Sequence, residues 1–204
     1  MYVHHQKKAL MILSRCAKIY DEQLRNKNLL FLLIDWQQTV HTLETVFMSR
    51  NFKLLTGLTS PLGANRFFEK ILARQLGLNE FDFKDDGTTE LKLKILPTLM
   101  SKNLSANMAG DFAGKTAKLY TEKIVGRLNG SMGFVFDEIA KRYVPNTVLH
   151  ENMRDMVFPS YRIVATYRKN IKDIQYSEVV YAAKKVDFNS LIFPAEIADL
   201  QRLI

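Results

Sequence analysis

A single cysteine, Cys16, stands in a chain of 204 residues. One thiol excludes an intramolecular disulfide and a thiolate zinc site. Long apolar runs are also missing: no window approaches the ~18 apolar residues of a membrane span. The N-terminus, MYVHHQKKALMILSRC, carries only the short apolar run 9–13, which Arg15 and Lys18 interrupt too soon for a signal sequence. There is no Gly/Ser linker, internal repeat or low-complexity tract. Histidine is scarce, and two of the four, His4 and His5, are adjacent at the N-terminus. H-E-x-x-H, G-x-S-x-G, a P-loop and a dinucleotide fingerprint are absent. DFKDDGTTE, 82–90, lacks the spacing of a calcium loop and reads as a loop entering a helix. The expectation is a cytoplasmic protein with no membrane partner, no cofactor and no metal.

What is present is apolar and basic. Hydrophobic residues make up 47%, with 13 Phe and eight Tyr, enough for a sizeable core. The net charge is +8. Such a balance favours a polyanionic partner, nucleic acid first and a membrane surface second, with solubility alone as the competing reading.

Apolar spacing predicts a helix over 5–26 and strands at 28–35 and 39–47, joined across WQQ. Trp36 at that corner reads as a core plug. A helical turn at 49–57 closes on Gly57. Ser60-Pro61 signals a helix start and Gly77 its stop; a further helix runs from Thr88 or Thr89 to Pro97 and beyond. Asn129-Gly130 signals a hairpin between strands at 119–127 and 133–138, with a helix at 116–125 competing. YVPNTVLH reads as a strand, ENMRDMV as a helical turn, YRIVATYRK (161–169) as an alternating strand, 177–183 as a strand, and the tail from Ser190 as a helix. Helices first and strands second predict an α+β fold with an antiparallel sheet. The expected organisation is an amphipathic helix (1–27), an α+β domain (28–189) and a closing helix (190–204).

Positive charge gathers at 161–185, where six Lys/Arg meet two acids, giving half the net charge. Tyr161, Tyr167, Tyr176 and Tyr181 are interleaved with them. Cations for phosphate and flat rings for unpaired bases suit RNA. A solvated outer sheet face explains the alternation equally well. The first helix carries a second basic set, which reads as its solvated face. Lys94 and Lys115 face either a groove or water. Metal-independent RNA cleavage remains open as chemistry: a base takes the 2′-hydroxyl proton, an acid protonates the leaving oxygen, and cations stabilise the phosphorane charge.

Several stretches in order carry a family resemblance: NFKLLTGL (51–58), ANRFFEKIL, YVPNTVL (143–149), YRIVATYRKN and YSEVVYAA. Through them the chain resembles the phage Barnase–EndoU–colicin–RelE-like (BECR) nucleases, in particular the fourth subgroup, over roughly residues 28–185. The resemblance implies helices packed on a twisted antiparallel sheet that forms an RNA site, in a protein of phages or mobile elements acting inside bacteria. Two positions depart from the family pattern. Leu54 stands where a His is common, and Asn152 where an acidic residue is common.

The resulting expectation places His150 as acid or base, with Arg162 and Lys169 stabilising phosphate charge. Thr56, Arg66, Asn146, Thr147, Arg168 and Tyr181 would bind substrate. Pro145 would start or break a strand so that Asn146 and Thr147 face the groove; a plain strand entrance is the alternative. The leading reading is an RNA-directed nuclease. The second is a non-catalytic binder of RNA or a ribonucleoprotein, such as an anti-CRISPR inhibitor of a guided effector. The third is a toxin or processing nuclease held by a protein partner.

Overall fold

A computed structural model describes residues 2–114 and 120–204. The first helix, α1 (Tyr2–Gln23), buries Ala9, Leu13, Cys16, Ala17 and Tyr20, which recur at three- and four-residue steps. The Tyr20 ring meets Phe47, Phe52 and Phe68 edge-on at 5.2–6.1 Å. Its hydroxyl donates to the Met48 carbonyl at 2.9 Å, so this buried phenol is satisfied. Burial pushes the Cys16 thiol up to about 12, which leaves it inert as a nucleophile.

The hairpin β1 (Lys27–Ile34) and β2 (Val40–Phe47) follows as expected. β1 reads as a continuous apolar run because both of its faces are covered. Leu29, Phe31 and Leu33 join the core shared with the helices, whereas Leu30, Leu32 and Ile34 join a second core on the opposite face. Trp36 at the hairpin corner is 86% exposed, so the expected core plug is instead a projecting ring.

Next come α2 (Ser49–Thr56), α3 (Ala64–Leu72) and α4 (Thr88–Leu99). Gly57 ends α2 at φ 72°, the left-handed conformation that favours glycine. α3 departs from expectation at both ends. Ser60 does not cap it; its hydroxyl donates to the Glu80 carbonyl and accepts from Leu62 N–H. Gly63 takes the cap position, and the helix stops at Leu72, short of Gly77.

The strands β3 (Met108–Phe112), β4 (Lys123–Arg127), β5 (Gly130–Asp137), β6 (Arg142–Leu149), β7 (Val157–Asn170) and β8 (Glu178–Ala182) complete one mostly antiparallel sheet. Its order is β1-β2-β6-β5-β4-β3-β7-β8, and β1 also pairs with β7, so the sheet closes on itself. The β2–β6 join is one parallel bridge, Thr45 to Tyr143. The fold is therefore α+β, with helices packed against the sheet, as expected. The Asn129-Gly130 hairpin is present between β4 and β5. The part of the 119–127 strand before residue 120, most of the competing 116–125 helix start, and Lys115 lie outside the described residues.

β7 does not alternate as expected. Leu32 pairs with Ala165 but Leu33 with Ile163, so Val164 is the extra residue of a bulge. Tyr161 and Ile163 therefore face the helix-side core, while Ala165 and Tyr167 face the second core with Leu191, Phe193 and Leu200. The tail forms 3-10 turns, Phe188–Ser190 and Ala195–Leu203, in place of an α-helix. The Tyr167 hydroxyl donates to the Leu200 carbonyl. No described helix is long and apolar enough to cross a membrane.

Phe47 is fully buried among Tyr20 and Phe134, so Phe47→Ala should cost about 3–5 kcal/mol. Met11→Ala, at a position 75% exposed, should stay within about 0.5 kcal/mol. Urea unfolding of both variants checks this; equal losses would contradict the placement of the core.

Candidate functional site

The Pro-Asn-Thr stretch sits inside β6. Phe134 pairs with Pro145 and Gly133 with Thr147, which leaves Asn146 as the extra residue of a bulge. Proline lacks a ladder donor and is tolerated at such a break. Beside the bulge, Gly133 has no side chain. A Cβ there would lie 2.6 Å from Thr121 Oγ1, 2.7 Å from Thr147 Cγ2 and 3.3 Å from Asn146 Oδ1. Thr121, Asn146 and Thr147 thus cluster over one glycine. Asn146 Nδ2 donates to the Tyr120 carbonyl at 2.6 Å, and its Oδ1 accepts from Thr121 at 3.2 Å.

Lys92 of α4 completes this cluster. Its ammonium donates to Thr147 Oγ1 at 2.8 Å. No ion pair joins it among the described residues. Burial, with Lys84 nearby, lowers its pKa to about 8, although Asp86 opposes the shift. A half-buried, unpaired lysine is an uncommon arrangement and marks a candidate site. The Lys92 stem lies against Gly57; a Cβ at Gly57 would come within 2.8 Å of Lys92 Cδ. Glycine is needed here for both its positive φ and this close approach.

Two hydrogen bonds tie the surroundings together. Thr89 Oγ1 donates to the Gly57 carbonyl at 2.8 Å and accepts from Lys84 N–H at 3.0 Å. The end of α2 and the start of α4 are fixed to each other. Between α2 and β6 runs an open groove of about 560 Å³, lined by Arg50, Lys53, Leu54, Gly57, Lys84 and Val144 among others. Lys53 donates to the Ser60 and Leu62 carbonyls, and Arg50 pairs with Asp137 at 2.6 Å. Lys84 is exposed, with no side-chain partner among the described residues. Leu54 is 52% exposed and faces this groove. Arg50, Lys53 and Lys84 line the groove against one lining carboxylate, Asp137, and give a basic surface on which an anion gains attraction.

The expected site residues divide between several places. Asn146 and Thr147 belong to the Lys92 cluster. Thr56 precedes Gly57, against which the Lys92 stem lies, but its hydroxyl donates to Lys53 O and accepts from Leu58 N–H, which closes α2. Arg66 is exposed in the first turn of α3, near enough to Glu80 to help lower that carboxyl's pKa, behind the Lys70 and Gly77 hydrogen bonds. His150, just past β6, lines a separate cavity of about 540 Å³ with Lys94, Asn107, Arg127 and Asn129.

The β7 residues lie apart from Asn146. Arg168 forks onto Glu178 and also donates to Gln23. Lys169 donates to the Ile174 carbonyl and lies over the Tyr176 ring at 4.6 Å. Tyr181 packs into the core, and Arg162 is exposed between β1 and β3. Burial, then a hydrogen bond to Glu44, pushes the Tyr176 phenol up. Of the four interleaved tyrosines, Tyr167 is fully buried and Tyr161, Tyr176 and Tyr181 are half-buried.

Lys92 was not a sequence candidate. In TELKLKIL its charge looks like part of a solvated helix face, and only packing against Gly57 and Thr147 distinguishes it from Lys94.

A family model described as "phage-Barnase-EndoU-ColicinE5/D-RelE like nuclease4" matches residues 12–185. No curated protein and no solved structure gives a significant match.

The lowered Lys92 pKa carries a sign. Between about pH 8 and the unfolded-state value, the unfolded chain holds the extra proton, so this group's contribution to stability rises with pH. NMR titration of the lysine ε-carbons should find one amine, lost in Lys92→Met, that titrates near 8. A full set of amines titrating above 10 would contradict the described burial.

Proposed function

Because the chain belongs to the phage Barnase–EndoU–colicin E5/D–RelE-like nuclease family, in its fourth group, we propose that it is a nuclease-like protein acting on RNA, with the α2–β6 groove beside Lys92 as its phosphodiester site. The observation that carries this is Lys92: a half-buried ammonium on Thr147, with no ion pair among the described residues, beside a basic groove. The stretches NFKLLTGL and YVPNTVL, far apart in sequence, both contribute to that groove through Leu54, Gly57 and Val144. Such convergence supports a shared role for them.

In the reaction, the ribose 2′-oxygen attacks phosphorus and gives its proton to a solvent water. The bond to the 5′-oxygen breaks, that oxygen takes a proton, and a 2′,3′-cyclic phosphate remains. Lys92, charged at neutral pH, stabilises the growing negative charge and is placed to supply the leaving-group proton. His150 follows Thr147 by three residues, about 10 Å of extended chain. Its cavity with Lys94 and Arg127 is a second basic stop for the same strand. The proposed setting is the cytoplasm of a bacterium carrying a phage or mobile element.

Leu54 favours a second reading. A hydrocarbon side chain stands in the groove where the resemblance leads one to expect an imidazole. A protein that grips RNA or a ribonucleoprotein without cutting it, as an inhibitor of a guided CRISPR effector would, keeps Lys92 and dispenses with the base.

Purified protein incubated with unstructured RNA in EDTA distinguishes the two. The nuclease reading expects fragments ending in 2′,3′-cyclic phosphate, with Lys92→Ala slowing cleavage by about 100-fold. His150→Ala should have a smaller effect. No turnover, together with salt-dependent RNA binding whose slope Lys92→Ala reduces by roughly one, would establish the binder. RNA neither bound nor cut would reject both.

A further inference from the structure

The sheet carries a second polar site, which shares no lining residue with the groove. It lies where β1 ends, β2 and β4 begin, and β3 pairs with β7. A pocket of about 150 Å³ opens there, lined by Leu33, His41, Leu43, Asp111, Lys123 and Tyr161 among others. His41 Nε2 lies 3.1 Å from Asp35 Oδ2, and Asp35 Oδ1 accepts the Gln37 and Thr39 N–H groups. The β1–β2 turn therefore holds the carboxylate, and the carboxylate orients the imidazole. The imidazole packs on Tyr161 with ring centroids 4.9 Å apart. Across the pocket Lys123 is paired with Asp111 and lies over the Tyr143 ring at 5.8 Å. Tyr143 in turn meets Phe136 edge-on at 5.4 Å.

Charge argues against a phosphate here. The Lys123 ammonium already has its carboxylate, and Asp35 already faces His41. The site offers donors and acceptors around an apolar floor with no excess of positive charge. Its size admits one planar heterocycle. Around the same end project large apolar side chains in contact with solvent: Trp36 at 86% exposure, Ile139 at 89% and Phe158 at 80%. Single exposed apolar residues are ordinary, but several around one polar mouth mark a recognition surface. Aromatic faces beside paired donors and acceptors suit an unpaired base.

We propose that the His41–Tyr161–Lys123 pocket binds a single unpaired nucleobase, with Trp36 and Phe158 stacking on its neighbours. The inference rests on the nucleic-acid reading above but not on the Lys92 groove. It names what that reading leaves open: the part of the ligand recognised by its base and not by its phosphate.

Trp36 is the chain's one tryptophan and reports on this rim directly. Its fluorescence, corrected for absorbance, is followed while full-length protein is titrated with nucleoside monophosphates, ribose 5-phosphate, and single-stranded and duplex oligonucleotides. Nucleotides and single strands should quench saturably; ribose 5-phosphate and duplex should not. His41→Ala and Tyr161→Ala should each weaken single-strand quenching about tenfold, a stacking-sized loss. Phe158→Ala, on the solvent side, tests the rim if either pocket variant loses its fold by circular dichroism. Met11→Ala, on the exposed side of α1, should quench as wild type, and the RNA assay of Lys92→Ala above reads the groove separately, so failure here is distinguishable from failure of the groove. Parallel ribo- and deoxyribo-oligomers assign the base to RNA or to any single strand; both outcomes support the pocket. Absence of saturable quenching, equal quenching by ribose 5-phosphate, or wild-type quenching in folded His41→Ala and Phe158→Ala would overturn it.

Discussion

Everything distinctive about this surface depends on the one-residue shift in β6 at Asn146. A strand's side chains alternate faces, so one extra residue changes which of them meet the core. Before the shift Tyr143 lies beside Phe136, the residue it pairs with. After it Val148 is buried in the helix-side core beside Met132, its partner. Both halves of the strand can serve the core only because the bulge absorbs the mismatch. The same bulge gathers Asn146, Thr147 and Thr121 over Gly133, and gives Lys92 a hydroxyl to hold. Packing of hydrocarbon and placement of a cation are thus two consequences of one register.

The helices fix the other wall. Gly57 must take a left-handed conformation to end α2, and must lack a side chain to admit Lys92. Thr89 bonds its carbonyl, so the N-terminus of α4 cannot drift from the C-terminus of α2. Burial then withholds water from Lys92, and Asp86 offsets this only in part, which leaves an anionic ligand as a natural complement. In the His41 pocket the balance differs. His41 and Lys123 each have a carboxylate, and the chemistry left over is hydrogen bonding and ring contact.

The elements with strong periodicity were legible in the sequence: α1, the β1–β2 hairpin, Gly57 as a helix stop, the Asn129-Gly130 turn and β6. Asn146 and Thr147 were legible as a polar break in a strand. β3 was not expected, because MAGDF is short and carries a glycine that the Pro159 carbonyl approaches too closely for any side chain. The bulge at Val164 was invisible as well, since it arises from pairing with β1 and not from local composition. That bulge turned an apparently one-sided row of tyrosines into residues of two different cores. Arg168 and Lys169 looked like free cations, yet their partners Gln23, Glu178 and Ile174 are fixed by tertiary contact. Lys92 and His41 were hidden for the converse reason. Thr147 is 55 residues from Lys92, and although Asp35 stands six residues before His41, only the turn geometry brings its carboxylate to the imidazole.

The central claim is that a phosphodiester sits beside Lys92 in the groove between α2 and β6. A crystal structure with a non-cleavable RNA oligonucleotide tests it most directly. The account predicts a backbone phosphate within hydrogen-bonding distance of Lys92 Nζ, with Lys84 alongside. RNA lying instead along β7 and β8, against Arg162 and Lys169 with the groove empty, would contradict it.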